Sequence, residues 1–484
     1  MQIALVAMVL VPLFGGVAIS LLSGSRPSWS RNAALSLSCV VFGLAAWMWV
    51  SFDRASSAIQ FSLALPWVPA LNTSMHLGVD GVSMPMVLLT ALLTVVAVLA
   101  SRGIEDRVRE YHTLLLLLEA GLIGVFVALD LIAFFLFWEV VLIPMYFLIA
   151  IWGGPRRSYA SVKFFIYTLA GSMAMLAGII TLYLRTGAST FDIVEIAPLA
   201  ATIDPGTQTV IFAAIAIGLA IKVPMFPLHT WLPDAHVEAP TAVSVLLAGV
   251  LLKMGSYGFL RFGPSMLPHG FEAARPFIAA LALVSIVYGA AVALMQSDLK
   301  RLVAYSSVSH MGYVMLGIAA GTATAISGAV VQMFSHGLIA GLLFLLVGTV
   351  YERTHTREIA EYGGIAKVTP LIAGAFVFAS FASLGLPGLS GFVGESMVVI
   401  GSFEEFRLHS VLASGAVMLT VGYLLWMLQR VVFGPVNEHR LAMTDMTVRE
   451  AFAIAPLAAL TLVVGVAPQT LIGVARASVE LLAR

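Results

Sequence analysis

Stretches of roughly 20 apolar residues recur along this chain from one end to the other. Each is long enough to cross the hydrocarbon core of a bilayer as a helix. Of the 484 residues, 60% are hydrophobic and 10% charged, and the mean hydropathy is +1.00. A soluble domain carries about 25% charged residues, so most of this surface cannot face water. The expected fold is all-α, a polytopic membrane protein of about 14 transmembrane helices. The first apolar run, Gln2 to Leu22, has no basic segment ahead of it and reads as a retained helix, not a cleaved signal.

Several functions are excluded early. The formal net charge is +0, which gives no hint of nucleic-acid binding. The single cysteine, Cys39, can form neither an intramolecular disulfide nor a cysteine-ligated metal or iron–sulfur site. No Walker-type phosphate loop or dinucleotide fingerprint is present. Energy for uphill transport must then come from an ion gradient or from a partner chain.

Basic residues give the expected orientation. One side of the spans collects sixteen of the 25 Lys and Arg residues, from Arg26 and Arg31 through Lys300, Arg301 and Arg357 to Arg440 and Arg449. The other has seven: Arg54, Arg185, Arg261, Arg275, Arg407, Arg476 and Arg484. By the positive-inside rule the richer side is cytoplasmic, and both termini lie on the periplasmic side of a bacterial inner membrane.

Two spans carry helix-breaking residues. In the seventh (208–231), Pro224 and Pro227 lack amide hydrogens and leave the carbonyls of Ala220 and Val223 without their usual donors. The twelfth (369–398) carries Gly385, Pro387, Gly388, Gly391 and Gly394. Irregular backbone at membrane depth survives only where it is buried in protein or lines a wet cavity. Two breaks five spans apart suggest a duplicated five-helix unit, inverted because the number of helices is odd.

Charges accompany the breaks. Glu139 is mid-span among apolar neighbours, Lys222 sits at the first break, Lys253 in the eighth span (240–260), and Glu395 after the second break. Each costs about 2.5–3.5 kcal/mol at the bilayer centre, so four of them point to ion movement over purely structural pairing. Burial disfavours the charged forms of lysine and carboxylate alike, bringing both towards proton exchange near neutral pH. Ser306, His310 and Tyr313 form one polar stripe, and Gln332, Ser335 and His336 another. Both histidines are relay candidates against a packing role. Glu119 is either a relay member or a partner of another helix, and Asp130 is expected at a solvated interface between spans. His229, Asp234, His236 and Glu238 look superficially like a metal cluster, but the spacing fits no standard zinc pattern.

Six segments carry a resemblance: 137–146 (FWEVVLIPMY), 222–236 (KVPMFPLHTWLPDAH), 239–244 (APTAVS), 251–255 (LLKMG), 298–312 (DLKRLVAYSSVSHMG) and 385–395 (GLPGLSGFVGE). They resemble the antiporter-like subunits of respiratory complex I, NADH–quinone oxidoreductase, over essentially the whole chain. Glu395 favours the chain-4 type, subunit M, because sister subunits usually place a lysine there; Ser396 departs from a commonly bulky apolar position. The resemblance implies an N-terminal three-helix segment (1–111), inverted five-helix repeats (112–262 and 275–432) and a C-terminal span (450–484). It implies Glu139 and Lys222 as a gating pair, Lys253 as central relay, and Glu395 as the proton-releasing residue, with His310 and His336 between. It implies no cofactor in this chain, flavin and iron–sulfur clusters in partner subunits, and two sister antiporter-like subunits in the membrane arm beside it. The alternatives are an Mrp-type cation/proton antiporter or membrane-bound hydrogenase subunit, and a structural scaffold.

Overall fold

The computed structural model describes residues 2–22, 27–437 and 442–483. Arg26, Arg440 and Arg484, used above for orientation, lie outside the described residues. Helices α1 (Gln2–Leu22) and α2 (Pro27–Ser51) lead into a hairpin of β1 (Gln60–Val68) and β2 (Thr73–Val79). Next come α3 (Ser83–Ala100), α4 (Val108–Val127), α5 (Leu131–Val140), α6 (Leu142–Trp152), α7 (Arg157–Arg185) and the short α8 (Ile193–Ala200). Then follow α9 (Pro205–Lys222), α10 (Trp231–Glu238), α11 (Thr241–Leu246) and α12 (Leu252–Phe262). The remainder is α13 (Pro268–Leu294), α14 (Leu299–Ala320), α15 (Ala323–Thr354), α16 (Pro370–Ser383), α17 (Ser390–Ser402), α18 (Arg407–Val431), α19 (Val448–Val466) and α20 (Gln469–Leu482).

Among the described residues thirteen helices, counting α5–α6 and α11–α12 as single spans, are long and apolar enough to cross a membrane. The expected fourteenth falls on the pair α16 and α17, of which α16 is apolar but shorter than the other spans. The chain is a multi-pass helical membrane protein. Its spans differ in surroundings: Thr241–Phe262 and Ala323–Thr354 are wholly enclosed by the rest of the chain, whereas Pro27–Ser51 and Val448–Val466 are largely exposed on its outer face. Enclosed spans are where polar side chains find protein partners instead of lipid.

Both expected breaks are present, and at the first of them two of the freed carbonyls find new donors. Helix α9 stops at Lys222. The carbonyl of Ala220, deprived by Pro224 of its normal donor, accepts from Met225 N at 3.0 Å, and that of Ile221 accepts from Trp231 Nε1 at 2.9 Å. Between α16 and α17, Gly385 and Gly388 take φ values of +80° and +92°, a region that residues with a Cβ rarely enter. A third break separates α5 from α6 at Val141, where Pro144 leaves the carbonyl of Val140 without an N–H donor. A fourth irregularity is a π-helical turn, Leu247–Leu251, immediately before Lys253.

Three features differ from the sequence expectation. The segment 53–78 holds the antiparallel hairpin, so the fold is helical with one small sheet. The last span ends at Val466, well short of the expected 450–484; Pro468 separates it from α20, which packs against α3 and α15. Asp130 is not solvated. It is fully buried, caps α5 by accepting from Ile132 N and Ala133 N, and accepts from Ser74 N of β2 at 3.0 Å.

The hairpin end of the molecule is fastened by charge. His76 is hydrogen-bonded to Asp192, the N-cap of α8, and Arg261 of α12 meets Asp80 at 2.9 Å just before α3. Burial opposes the charge on Asp80, yet Arg261 and the backbone amides of Ser83 and Val82 hold its carboxyl below the ordinary value of 3.8. A depressed folded-state value means that this contribution is complete above the unfolded value and is lost as pH falls through the folded one. Acid sensitivity from this pair is thus confined to pH below about 4. Arg261→Met strands Asp80 as a buried unpaired charge and is expected to cost about 3–5 kcal/mol. A lowered midpoint of thermal unfolding in detergent is the measurement; an unchanged midpoint would show that the pair contributes nothing.

Candidate functional site

The wholly enclosed spans bring Lys253, His336 and Gln332 together, and α14 and α17 add His310 and Glu395. Lys253 Nζ lies 2.5 Å from the carbonyl of Ala248, in the π-helical turn, and 2.6 Å from His336 Nδ1 on α15. The ring centroids of His336 and His310 are 5.8 Å apart. His310 Nδ1 lies 2.6 Å from Glu395 Oε1, and its Nε2 is 3.1 Å from Ser383 Oγ, so one imidazole spans the break between α16 and α17. Gln332 Nε2 donates to the same carboxylate oxygen at 3.0 Å. The result is a nearly continuous line of titratable side chains from Lys253 to Glu395, all buried. Sequence reasoning placed Gln332 in a stripe with His336 but did not see that it grips Glu395.

The other end of the line is looser. Lys222 is buried, with no hydrogen-bond partner at Nζ among the described residues; its ammonium lies 5.3 Å from the Trp138 ring centroid and 5.7 Å from that of Phe164. Among the described residues no carboxylate lies within 4.0 Å of it, so Glu139 and Lys222 form no ion pair in this structure. Glu139 itself is not enclosed as expected. It is half-buried at the outer face of the chain, with Oε1 unpartnered, in the last turn of α5. The α5–α6 break beside it was missed, although Pro144 signalled it.

Other candidates go elsewhere. Glu119 is fully buried on α4 and accepts from Ser38 Oγ of α2 at 3.3 Å, which makes it the partner of a neighbouring helix. The Ser306–His310–Tyr313 stripe divides: Tyr313 donates to the carbonyl of Ala413 and only His310 reaches the buried line. Asp234 pairs with Lys163 at 2.7 Å and Arg301 at 3.8 Å, while Glu238 accepts from Arg156 N at 2.9 Å. His229 and His236 are buried with no hydrogen-bond partner on either ring nitrogen among the described residues, and His236 is stacked on Phe344. These four residues therefore look in different directions and assemble no ligand shell.

A pair of histidines bridging a buried lysine and a buried glutamate suits movement of protons better than binding of a larger substrate, because every link is a group that both accepts and donates. Residues 128–420, which contain the whole line, match the family described as NADH:quinone oxidoreductase/Mrp antiporter, transmembrane. The chain belongs to this family. The NADH-quinone oxidoreductase subunit M of Rhodobacter capsulatus is 46% identical over 97% of this chain and 94% of that protein. Among solved structures, respiratory complex I from Thermus thermophilus with bound NADH contains a chain similar at TM-score 0.89 and 32% identity, covering 99% of each. The Mrp complex from a Dietzia species contains one similar at TM-score 0.85 and 26% identity, covering 98% of this chain and 52% of that one. Members of the family thus share a fold across two kinds of assembly, and sequence identity separates them more sharply than shape.

Proposed function

We propose that protons cross this chain along Glu139, Lys222, Lys253, His336, His310 and Glu395, with Glu139 and Lys222 as the gate and Glu395 as the releasing group. The chain is a proton-translocating membrane-arm subunit of an NADH–quinone oxidoreductase, respiratory complex I. The observation that carries the route is the buried line in which Lys253 touches His336 and Glu395 touches His310, with the two rings side by side. The Mrp-type reading has less support, at 26% identity against 46%.

In this reading the residues 112–262 and 275–432 are the inverted halves, each with its own broken helices, and the line crosses from one half to the other. The redox chemistry, its flavin and its iron–sulfur clusters belong to other subunits, and sister antiporter-like subunits flank this one in the bacterial inner membrane. Both termini face the periplasm. Moving one charge against about 150 mV takes roughly 3.5 kcal/mol, which oxidation of NADH by the partner subunits supplies. The half-buried position of Glu139 suits a gate: a carboxyl at the outer face of the chain can respond to a neighbouring subunit while Lys222 stays enclosed. An approach of the two favours both ionised forms, and a separation favours the neutral ones.

Glu139→Gln keeps the size and polarity of the side chain and removes its charge. We expect the complex to assemble, with proton uptake by reconstituted vesicles below a tenth of the wild-type rate and NADH–quinone turnover reduced alongside. Normal uptake in this variant would remove Glu139 from the route.

A further inference from the structure

A cleft of about 310 Å³ opens near the arginine-rich end of the spans, lined among others by Trp152, Glu238, Thr241, Lys300, Tyr351 and Arg357. It has room for several water molecules at about 30 Å³ each. At its wall the short helix α10 ends, and groups from both halves of the chain cap the carbonyls there. Gly154 N donates to Glu238 O, Arg357 to Val237 O, and Lys300 Nζ to Ala239 O. Lys300 belongs to α14 and Arg357 to the segment after α15, so two cations of the second half hold the negative end of a helix in the first. Arg357 has a second partner, Asp298 Oδ2 at 3.3 Å; Lys300 is buried, touches the cleft and, among the described residues, has only the carbonyl. Behind this wall, on the same α10, is His236 with two unpartnered ring nitrogens, and the charges acting on it are those of Lys300 and Lys253.

We propose that this cleft is the proton intake of the chain and that Lys300 is its loading residue, passing protons through His236 to Lys253. The inference rests on the route proposed above and supplies its missing connection to water. The neutral amine of Lys300 takes a proton from water in the cleft, and its N–H then breaks in favour of a bare imidazole nitrogen of His236. The imidazolium releases the proton on its other nitrogen to the amine of Lys253, which leaves Lys300 as it began and His236 in its other tautomer; a turn of the ring or proton exchange with water resets it before the next proton. The Ala239 carbonyl holds Lys300 in place while it is charged and loses its grip on the neutral amine, which ties loading to the contact between the two halves.

The test is Lys300→Arg in the whole complex, reconstituted in vesicles, with assembly checked by native gel. Arginine keeps the charge and the donor to Ala239 but is effectively never deprotonated. Expected is normal assembly with proton uptake at least fivefold lower; wild-type uptake would make Lys300 a fixed cap and overturn the proposal. Lys253→Met in the same assay separates the two levels. If it abolishes uptake while Lys300→Arg does not, only the intake assignment fails; if neither does, the route fails as well. A second arm places Thr241→Cys on a Cys39→Ser background and adds a membrane-impermeant charged thiosulfonate to the arginine-rich side. Expected is modification at position 241 and at least fivefold slower uptake than in the treated complex lacking that cysteine. Either no modification, or modification with unchanged uptake, would overturn the cleft as the intake.

Discussion

Proton delivery should fall below a tenth of the wild-type rate when Glu395 becomes glutamine, in a complex that still assembles. The geometry makes this variant informative. Oε1 of Glu395 accepts from Gln332 Nε2 at 3.0 Å and lies 2.6 Å from His310 Nδ1. A glutamine carbonyl can occupy the same point and accept from both, so the hydrogen bonds that hold α17 against α14 and α15 are largely preserved. What disappears is the ability to carry a proton. A purely structural carboxylate would tolerate the change at a cost near that of exchanging a charged for a neutral hydrogen bond, about 1–2 kcal/mol. Glu395→Asp should retain part of the rate, because the shorter side chain still titrates but reaches His310 poorly. Glu395→Lys should do better than Gln for the same reason. Vesicle uptake of protons with a native-gel check decides the matter, and a Gln variant that pumps normally would place the exit elsewhere.

The second large effect is expected at Lys253. Its ammonium is the one group on the enclosed spans that touches both the π-helical turn, through Ala248 O, and His336. Methionine fills similar volume and leaves both partners unmet in a dry interior, a loss of about 1–3 kcal/mol per stranded polar group. Uptake should be abolished and the unfolding midpoint in detergent lowered. Lys253→Arg separates the two consequences, since it restores the hydrogen bonds and the charge without a releasable proton. We expect Arg to recover the midpoint and not the uptake. Recovery of both would show that Lys253 provides a static field.

Much of this was legible in the sequence because the bilayer restricts the choices. Apolar length fixed the spans, Pro224 and Pro227 marked the end of α9 at Lys222, and Gly385 and Gly388 marked the gap after α16. Buried charge marked Lys253, His310, His336 and Glu395, since such residues are too costly to retain in lipid without partners. What stayed hidden depends on third-party contacts. Asp130 looked solvated because it falls between two spans, yet its partners are the amide of Ser74, more than fifty positions earlier, and the first turn of α5. The exposure of Glu139 depends on which way the last turn of α5 faces after the break at Val141, which no periodicity in a uniformly apolar stretch can encode. His236 was grouped with Asp234 and Glu238 by proximity in sequence; on the short helix α10 they turn to different neighbours. The last span was drawn too long because residues beyond Val466 remain apolar, although Pro468 was available as a stop signal.

The π-helical turn at Leu247–Leu251 has a consequence for how this gene can vary. Such a turn is one residue wider than the α-helical turn it replaces, and here it lies between α11 and α12 within a single enclosed span. Deleting one residue from it would yield a smooth helix of ordinary pitch, at no cost in hydropathy or composition. Lys253 and everything after it would keep nearly their present direction, because a π-helical turn takes one residue more than an α-helical turn to complete the same circle. A deletion inside α12 would instead turn all that follows by about 100° and swing Arg261 away from Asp80. The π-helical turn is therefore the one place in this span where a residue can be lost without turning α12, and what such a change removes is the wider turn whose Ala248 carbonyl meets Lys253.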